Sequence, residues 1–235
     1  MPVDIKILHY YLWKQFMIKY KLKQIRRNTQ NDLHFISNNT IAIEKEKDLS
    51  AVTFTVFDLE TTGFFPELGD EVLSVGAVKI RGGEILRDES FYKVVRPIDK
   101  VPHSIKQLTG LTDKEINSSH YFPWVLKKFI DFSQETVLVA HPASFDIPFL
   151  QSTIKTWGLP DFSPEVIDSH ALANWIYPDN NNFLDQLVEY YQIDQKERHH
   201  ALNDAIMTAE IFIKLINETD QLLKYNDLLE VTRSI

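Results

Sequence analysis

Apolar residues follow two rhythms along this chain. Near the N-terminus, Ile5, Leu8, Leu12 and Phe16 recur at helical spacing, and Leu22 and Ile25 prolong the stripe beside lysines. That pattern predicts an amphipathic helix over residues 1–28. A polar, turn-rich stretch from Asn28 to Asn39 reads as a linker, and the main domain is expected to begin near Ser50. From there the rhythm changes to short apolar runs, which predict strands at 53–59, 71–80 and 85–95. Arg81-Gly82-Gly83-Glu84 between the last two is a hairpin signal. Helices are expected at 104–108, 121–132 and 145–157, with a short strand at 136–140. A short element at 165–176 and a helix at 182–191 follow, and a strongly periodic helix at 201–217 closes the pattern. Three strands before the first long helix, then a strand among helices, predict an α/β fold: a mixed β-sheet flanked by helices, with an N-terminal amphipathic helical extension. The expected organisation is a basic extension and linker at 1–49, a main domain at 50–220 and a C-terminal tail at 221–235.

Composition narrows the chemistry. The chain has 235 residues, 44% of them hydrophobic, and no cysteine. Disulfides, thiolate chemistry and cysteine-ligated zinc are therefore excluded, and any metal must sit on oxygen or imidazole. No run approaches the length of a membrane span and the N-terminus lacks an export signal, so a cytoplasmic enzyme without membrane contact is expected. The net charge of −8 is unevenly spread: seven Lys and Arg against Asp4 give residues 1–31 a balance of +6, leaving −14 for the rest. An acidic body binds phosphate backbones poorly unless bound metal inverts the local potential.

Asp58 and Glu60 end the run Thr53-Phe54-Thr55-Val56-Phe57-Asp58-Leu59-Glu60, and a strand's period of two puts both carboxylates on one face. Carboxylates forced together in low dielectric resist ionisation and call for a cation. Asp146 falls at the start of the helix after the strand ending at Ala140. Asp204 falls in the first turn of the last long helix, beside the small residues Ala201, Ala205 and Ala209, which predict close approach of that helix to the sheet. Taken singly, an aspartate in a first helical turn has an ordinary use, complementing the exposed amides there. His199 and His200 are each weak signals. Together, four carboxylates suit Mg²⁺ or Mn²⁺, and an imidazole nearby can accept a proton from water.

Three stretches carry a resemblance: Asp58-Leu59-Glu60-Thr61-Thr62-Gly63, His141-Pro142-Ala143-Ser144-Phe145-Asp146, and His199 five residues before Asp204. Their order and spacing resemble the exonuclease motifs of the DEDDh family of 3′–5′ exonucleases, most of all the proofreading exonucleases of bacterial DNA polymerase III. Val101-Pro102-His103-Ser104-Ile105, Leu108 to Asp113 and Val166-Ile167-Asp168-Ser169 are similar to further stretches of those enzymes, and the likeness covers about residues 52–217. It implies a ribonuclease-H-like fold, two divalent ions, and hydrolysis of DNA 3′ ends to nucleoside 5′-monophosphates in proofreading or repair, on a single-stranded or frayed end. Asp58, Glu60, Asp146 and Asp204 are then metal ligands and His199 the general base, while Thr61, Thr62, Phe64 and Phe145 lie near the terminal nucleotide. Pro142 departs from the pattern, which has Asn there, and is expected to alter substrate preference or rate without abolishing activity. An exoribonuclease trimming RNA or short oligonucleotides is the alternative enzyme, and a non-catalytic nucleic-acid-binding or polymerase-docking subunit the alternative of another class. The N-terminal helix is expected either to pack on its own domain, to dock a polymerase or other partner, or to contact phosphate.

Overall fold

The computed structural model describes residues 3–28, 44–218 and 224–233. The expected linker lies almost wholly outside the described residues. Helix α1 (Val3–Asn28) precedes β1 (Phe54–Thr61), β2 (Val72–Arg81) and β3 (Glu84–Arg96). Then come α2 (His103–Thr109), α3 (Asp113–Ser118), β4 (His120–Tyr121), α4 (Phe122–Phe132), β5 (Val137–Ala140) and α5 (Ala143–Trp157). β6 (Val166–Asp168), α6 (Ser169–Ile176), α7 (Leu184–Tyr190), α8 (Ala201–Asn217) and α9 (Tyr225–Arg233) complete the described chain. The sheet runs β4-β3-β2-β1-β5-β6, with β1 antiparallel to β2 and parallel to β5. The mixed sheet, its flanking helices and the N-terminal helical extension are those the pattern predicts.

Local chemistry explains the elements. Gly82 and Gly83 both take positive φ, 60° and 78°, the conformation a two-residue hairpin needs. α3 is a helix of six residues that the periodicity does not reveal, held by a capping box in which Thr112 and Glu115 satisfy each other's backbone amides. The single element expected at 165–176 is two, because Asp168 ends β6 and caps α6 by accepting the amides of His170 and Ala171. Within the stretch expected as a tail, α9 buries Tyr225, Leu228 and Leu229.

β1 divides the core by alternation. Phe54 and Val56 join Phe212, Leu215 and Tyr225 on one face, while Phe57 and Leu59 join Phe129, Phe149 and Trp157 on the other. Asp58 and Glu60 continue the Phe54–Val56 rank, toward α8. There the helix lies almost on the strands: a methyl group on Gly76, paired with Asp58 across β1 and β2, would overlap the backbone of Ala201 and Leu202. Only a glycine permits that approach. Against the opposite face, α1 buries Ile18 and Leu22. Of the apolar stripe expected on α1, Leu12 and Phe16 point outward, 58% and 66% exposed.

Gly76→Ala should therefore push α8 from the sheet. Overpacking of this kind costs about 1–3 kcal/mol, and each kcal/mol lowers the melting midpoint by about 2–4 °C in a domain of this size. Thermal unfolding checks it, and an unchanged midpoint contradicts the close approach.

Candidate active site

The site forms where strands part. β5 pairs with β1 only from Phe54 to Val56 and then turns away, leaving the carboxyl end of β1 open, the usual crevice of an α/β sheet. Asp146, in the first turn of α5, fills the gap: its Oδ1 accepts the Leu59 amide at 3.2 Å. That bond holds Asp146 against β1 between Asp58 and Glu60. From the other side the close-packed start of α8 delivers Asp204. Ligand atoms of Glu60, His199 and Asp204 all come within 4.8 Å of one another, a group able to hold a metal ion.

The approach to α8 is bent to allow this. His199 has φ of 61°, and its amide donates to Asp204 Oδ2 at 3.1 Å. The helix starts only at Ala201, so His200 and Asp204 do not share a helical face; His200 caps α8, accepting the Asn203 amide through Nδ1, and stacks on Tyr92 at 4.3 Å. The adjacent histidines thus have separate surroundings, one among the carboxylates and one in a cap.

Electrostatics sets the state of the cluster. Burial, and then repulsion from Asp146, Glu60 and Asp204, raises the Asp58 pKa well above the ordinary carboxylate range. Burial and the neighbouring Asp204 push Glu60 up to about 8, and burial pushes Asp146 up to about 8. Burial also raises Asp204, opposed by Arg198, whose guanidinium pairs with its Oδ2. Arg198 reaches Asp185 on α7 as well, Nε to Oδ1 at 2.5 Å. Neither Arg198 nor Asp185 is marked by any periodicity or motif. One arginine cannot offset four acids, and Asp204 Oδ1 is buried without a hydrogen-bond partner. An orphaned carboxylate oxygen among mutually repelling acids is what a hard divalent cation would satisfy.

A second tier fixes this frame. His141 is buried, with Nδ1 2.9 Å from Ser169 Oγ and Nε2 2.9 Å from the Asn182 carbonyl, and burial with the His170 ring nearby pushes its pKa down to about 4. It joins the β5–α5 turn to α6 as a neutral group. Pro142, at the cap of α5, contributes no side-chain hydrogen bond, and Asp168 supplies one instead, accepting the Ser144 amide at 3.0 Å. Thr61 Oγ1 donates to the Gly63 carbonyl, and Thr62 Oγ1 accepts the Glu71 amide at 2.9 Å, so these hydroxyls brace the loop after β1. Glu71 in turn accepts the amides of Ile98 and Asp99 at 2.7 and 2.9 Å. Phe64 is 75% exposed and meets Phe145 edge-to-face at 6.1 Å. The two rings form an aromatic ledge on the loop and helix that border the acids.

Acids converging at the strand ends of this mixed sheet define an α/β nuclease architecture. The chain belongs to the RNase_T family, described as Exonuclease, which residues 55–212 match. It is 36% identical over 170 residues to the DNA polymerase III PolC-type of Caldanaerobacter subterraneus subsp. tengcongensis, covering 72% of this chain and 12% of that polymerase. It is 37% identical over 172 residues to the PolC-type polymerase of Clostridium perfringens, covering 71% of this chain and again 12% of the relative. Among solved structures, the nuclease domain of 3′hExo, a DEDDh family member bound to rAMP, aligns with a TM-score of 0.67 at 22% identity, covering 76% of this chain and 98% of that one. Exonuclease X in complex with 5′ overhanging duplex DNA aligns at 0.60 and 20% identity, over 76% and 99%. These structural likenesses establish a shared fold.

The raised carboxylate pKa values predict a linkage. Groups whose folded pKa lies above the unfolded value contribute stability that is present below the unfolded pKa and lost as pH rises through the folded one. For Glu60 that window runs from 4.5 to about 8. Metal-free protein should lose stability across it, and Mn²⁺ should raise the melting midpoint more at the alkaline end than at the acid end. Melting curves over that range with and without Mn²⁺ check this. A metal shift that is constant with pH contradicts it.

Proposed function

We propose that this chain is a metal-dependent 3′–5′ exonuclease that hydrolyses the terminal phosphodiester at DNA 3′ ends and releases nucleoside 5′-monophosphates. The observation that carries the reading is the convergence of Asp58, Glu60, Asp146 and Asp204 with His199 at the open end of β1. Two divalent ions, Mg²⁺ or Mn²⁺, held by the four carboxylates would supply Lewis acidity to the phosphate and lower the pKa of bound water. His199 takes the proton from the attacking water, and the bond from its amide to Asp204 keeps this residue beside the carboxylates. Phe64 and Phe145 receive the terminal base on their exposed ledge, and the Thr61–Thr62 loop, stiffened through Glu71, keeps that ledge in register with the acids. Similarity to polymerases named for DNA synthesis supports DNA over RNA as the substrate, and proofreading or repair as the setting. The chain spans only 12% of those polymerases, so association with a polymerase is part of the proposal.

Cleavage of 5′- and 3′-labelled single-stranded DNA, duplex DNA and single-stranded RNA, with Mg²⁺, Mn²⁺ or EDTA, tests the reading. The 5′ label should give a descending ladder and the 3′ label an immediate mononucleotide, with DNA preferred and no product in EDTA. Turnover in EDTA, shortening from the 5′ end, or faster loss of RNA would sink it.

The residue roles are separable. His199→Ala should lower kcat by ~10²–10⁴ and leave Mn²⁺ binding largely intact. Asp58→Ala should be the most damaging change, with Glu60→Ala and Asp204→Ala close behind, and all three should weaken Mn²⁺ binding. His200→Ala should lose the cap, at about 1 kcal/mol of stability, with kcat nearly unchanged. A large kcat defect in His200→Ala beside a normal His199→Ala reverses the assignment.

A further inference from the structure

Helix α1 is fastened to the domain by one side and bare on the other. On the fastened side Ile18 and Leu22 are buried, Lys14 Nζ pairs with Asp70 at 3.3 Å, and Lys21 Nζ pairs with Asp99 at 3.3 Å. The opposite side carries Leu12, Trp13, Phe16, Lys19, Tyr20 and Lys23, all exposed. At 100° per residue these six fall within about one third of the helix circumference, over ~17 Å of its length at 1.5 Å per residue. Trp13, Phe16 and Tyr20 are 57%, 66% and 54% exposed. Three large rings bared on one face form a patch, not scattered surface residues.

The position of the helix gives the patch a meaning. Asp70, which holds Lys14, also accepts the Phe65 amide at 3.1 Å. Phe65 is 58% exposed and adjoins Phe64, which leans on Phe145 at the acids. Asp70 therefore ties the loop that bears Phe64 and Phe65 to the fastened side of α1, so the helix stands beside the loop that borders the acids. Residues 1–31 also hold the densest positive charge of the chain, +6, against −14 elsewhere. Lys14 and Lys21 commit their charge to Asp70 and Asp99, while Lys19 and Lys23 present theirs on the outer face, where a strand repelled by the acidic body is attracted.

We propose that the outer face of α1 is a binding surface for single-stranded DNA, on which bases stack against Trp13, Phe16 and Tyr20 while Lys19 and Lys23 contact phosphates. Rings interleaved with cations are the combination by which single strands are held without sequence preference. The proposal rests on the exonuclease reading only in taking the strand's 3′ end to the acids. The tie through Asp70 holds α1 beside the loop that borders the site, so strand length beyond the terminal nucleotides should raise affinity.

Two measurements separate the claims: the Kd of a long fluorescent oligothymidylate in EDTA, and the kcat/KM for a thymidine trinucleotide in Mn²⁺, which fills only the cleft. Trp13→Ala/Phe16→Ala/Tyr20→Ala should weaken the long strand by at least about tenfold and leave trinucleotide turnover unchanged. Lys19→Gln/Lys23→Gln, which leaves the rings in place and guards against misfolding of the first variant, should lower the slope of log affinity against log salt by about 1.4, at ~0.7 per single-strand phosphate contact. Long-strand affinity equal to wild type in both variants overturns the proposal and leaves the face to a protein partner. A long strand left uncut by the wild type in Mn²⁺, with its binding still dependent on α1, upholds this surface and removes the exonuclease reading instead.

Discussion

Acids crowded together beneath the first turn of α8 set the terms for everything built around them. Asp58 and Glu60 occupy positions that Phe54 and Val56 fill with apolar side chains one turn of the pleat earlier, and burial and repulsion push their pKa values upward. Nothing in packing favours that choice; apolar residues would stabilise the same positions. The fold nevertheless brings more acid to the place, Asp146 through its bond to the Leu59 amide and Asp204 through the contact that Gly76 allows. Stability given up at such a point is a sign of function, and a bound cation is the natural means of recovering it.

The surrounding residues spend themselves on keeping these acids in place. His141 is neutral and buried between Ser169 and the Asn182 carbonyl, Asp168 caps α6 and reaches the first turn of α5, and Glu71 ties the loop after β1 to residues 98 and 99. Arg198 bridges Asp185 and Asp204 and partly offsets the charge. A reacting group held by a network of this kind loses little entropy when substrate arrives.

Much of this was legible in the sequence because the signals were local. The run ending at Glu60 had a period of two, Gly82-Gly83 marked the hairpin, and Ala201, Ala205 and Ala209 announced a helix lying close to the sheet. Gly76, in the middle of the run Leu73-Ser74-Val75-Gly76-Ala77-Val78, is a strand-side signal that the apolar rhythm passes over, although glycine in a strand interior often marks close backbone approach. What stayed hidden depends on contacts distant in sequence: Asp185 with Arg198, His141 with Asn182, Asp168 with Ser144. The α1 stripe shows a different limit. Two apolar faces share that helix, and periodicity alone does not say that Ile18 and Leu22 are buried while Leu12 and Phe16 are not.

The fold gathers proton-bearing acids whose protons a divalent cation would displace. Calorimetric titration of Mn²⁺ into metal-free protein near neutral pH, repeated in buffers of different ionisation enthalpy, counts the protons released. With Glu60 and Asp146 both pushed up to about 8, binding should be accompanied by net proton release that falls away at higher pH. Saturable Mn²⁺ binding with no proton release at any of these pH values would contradict it.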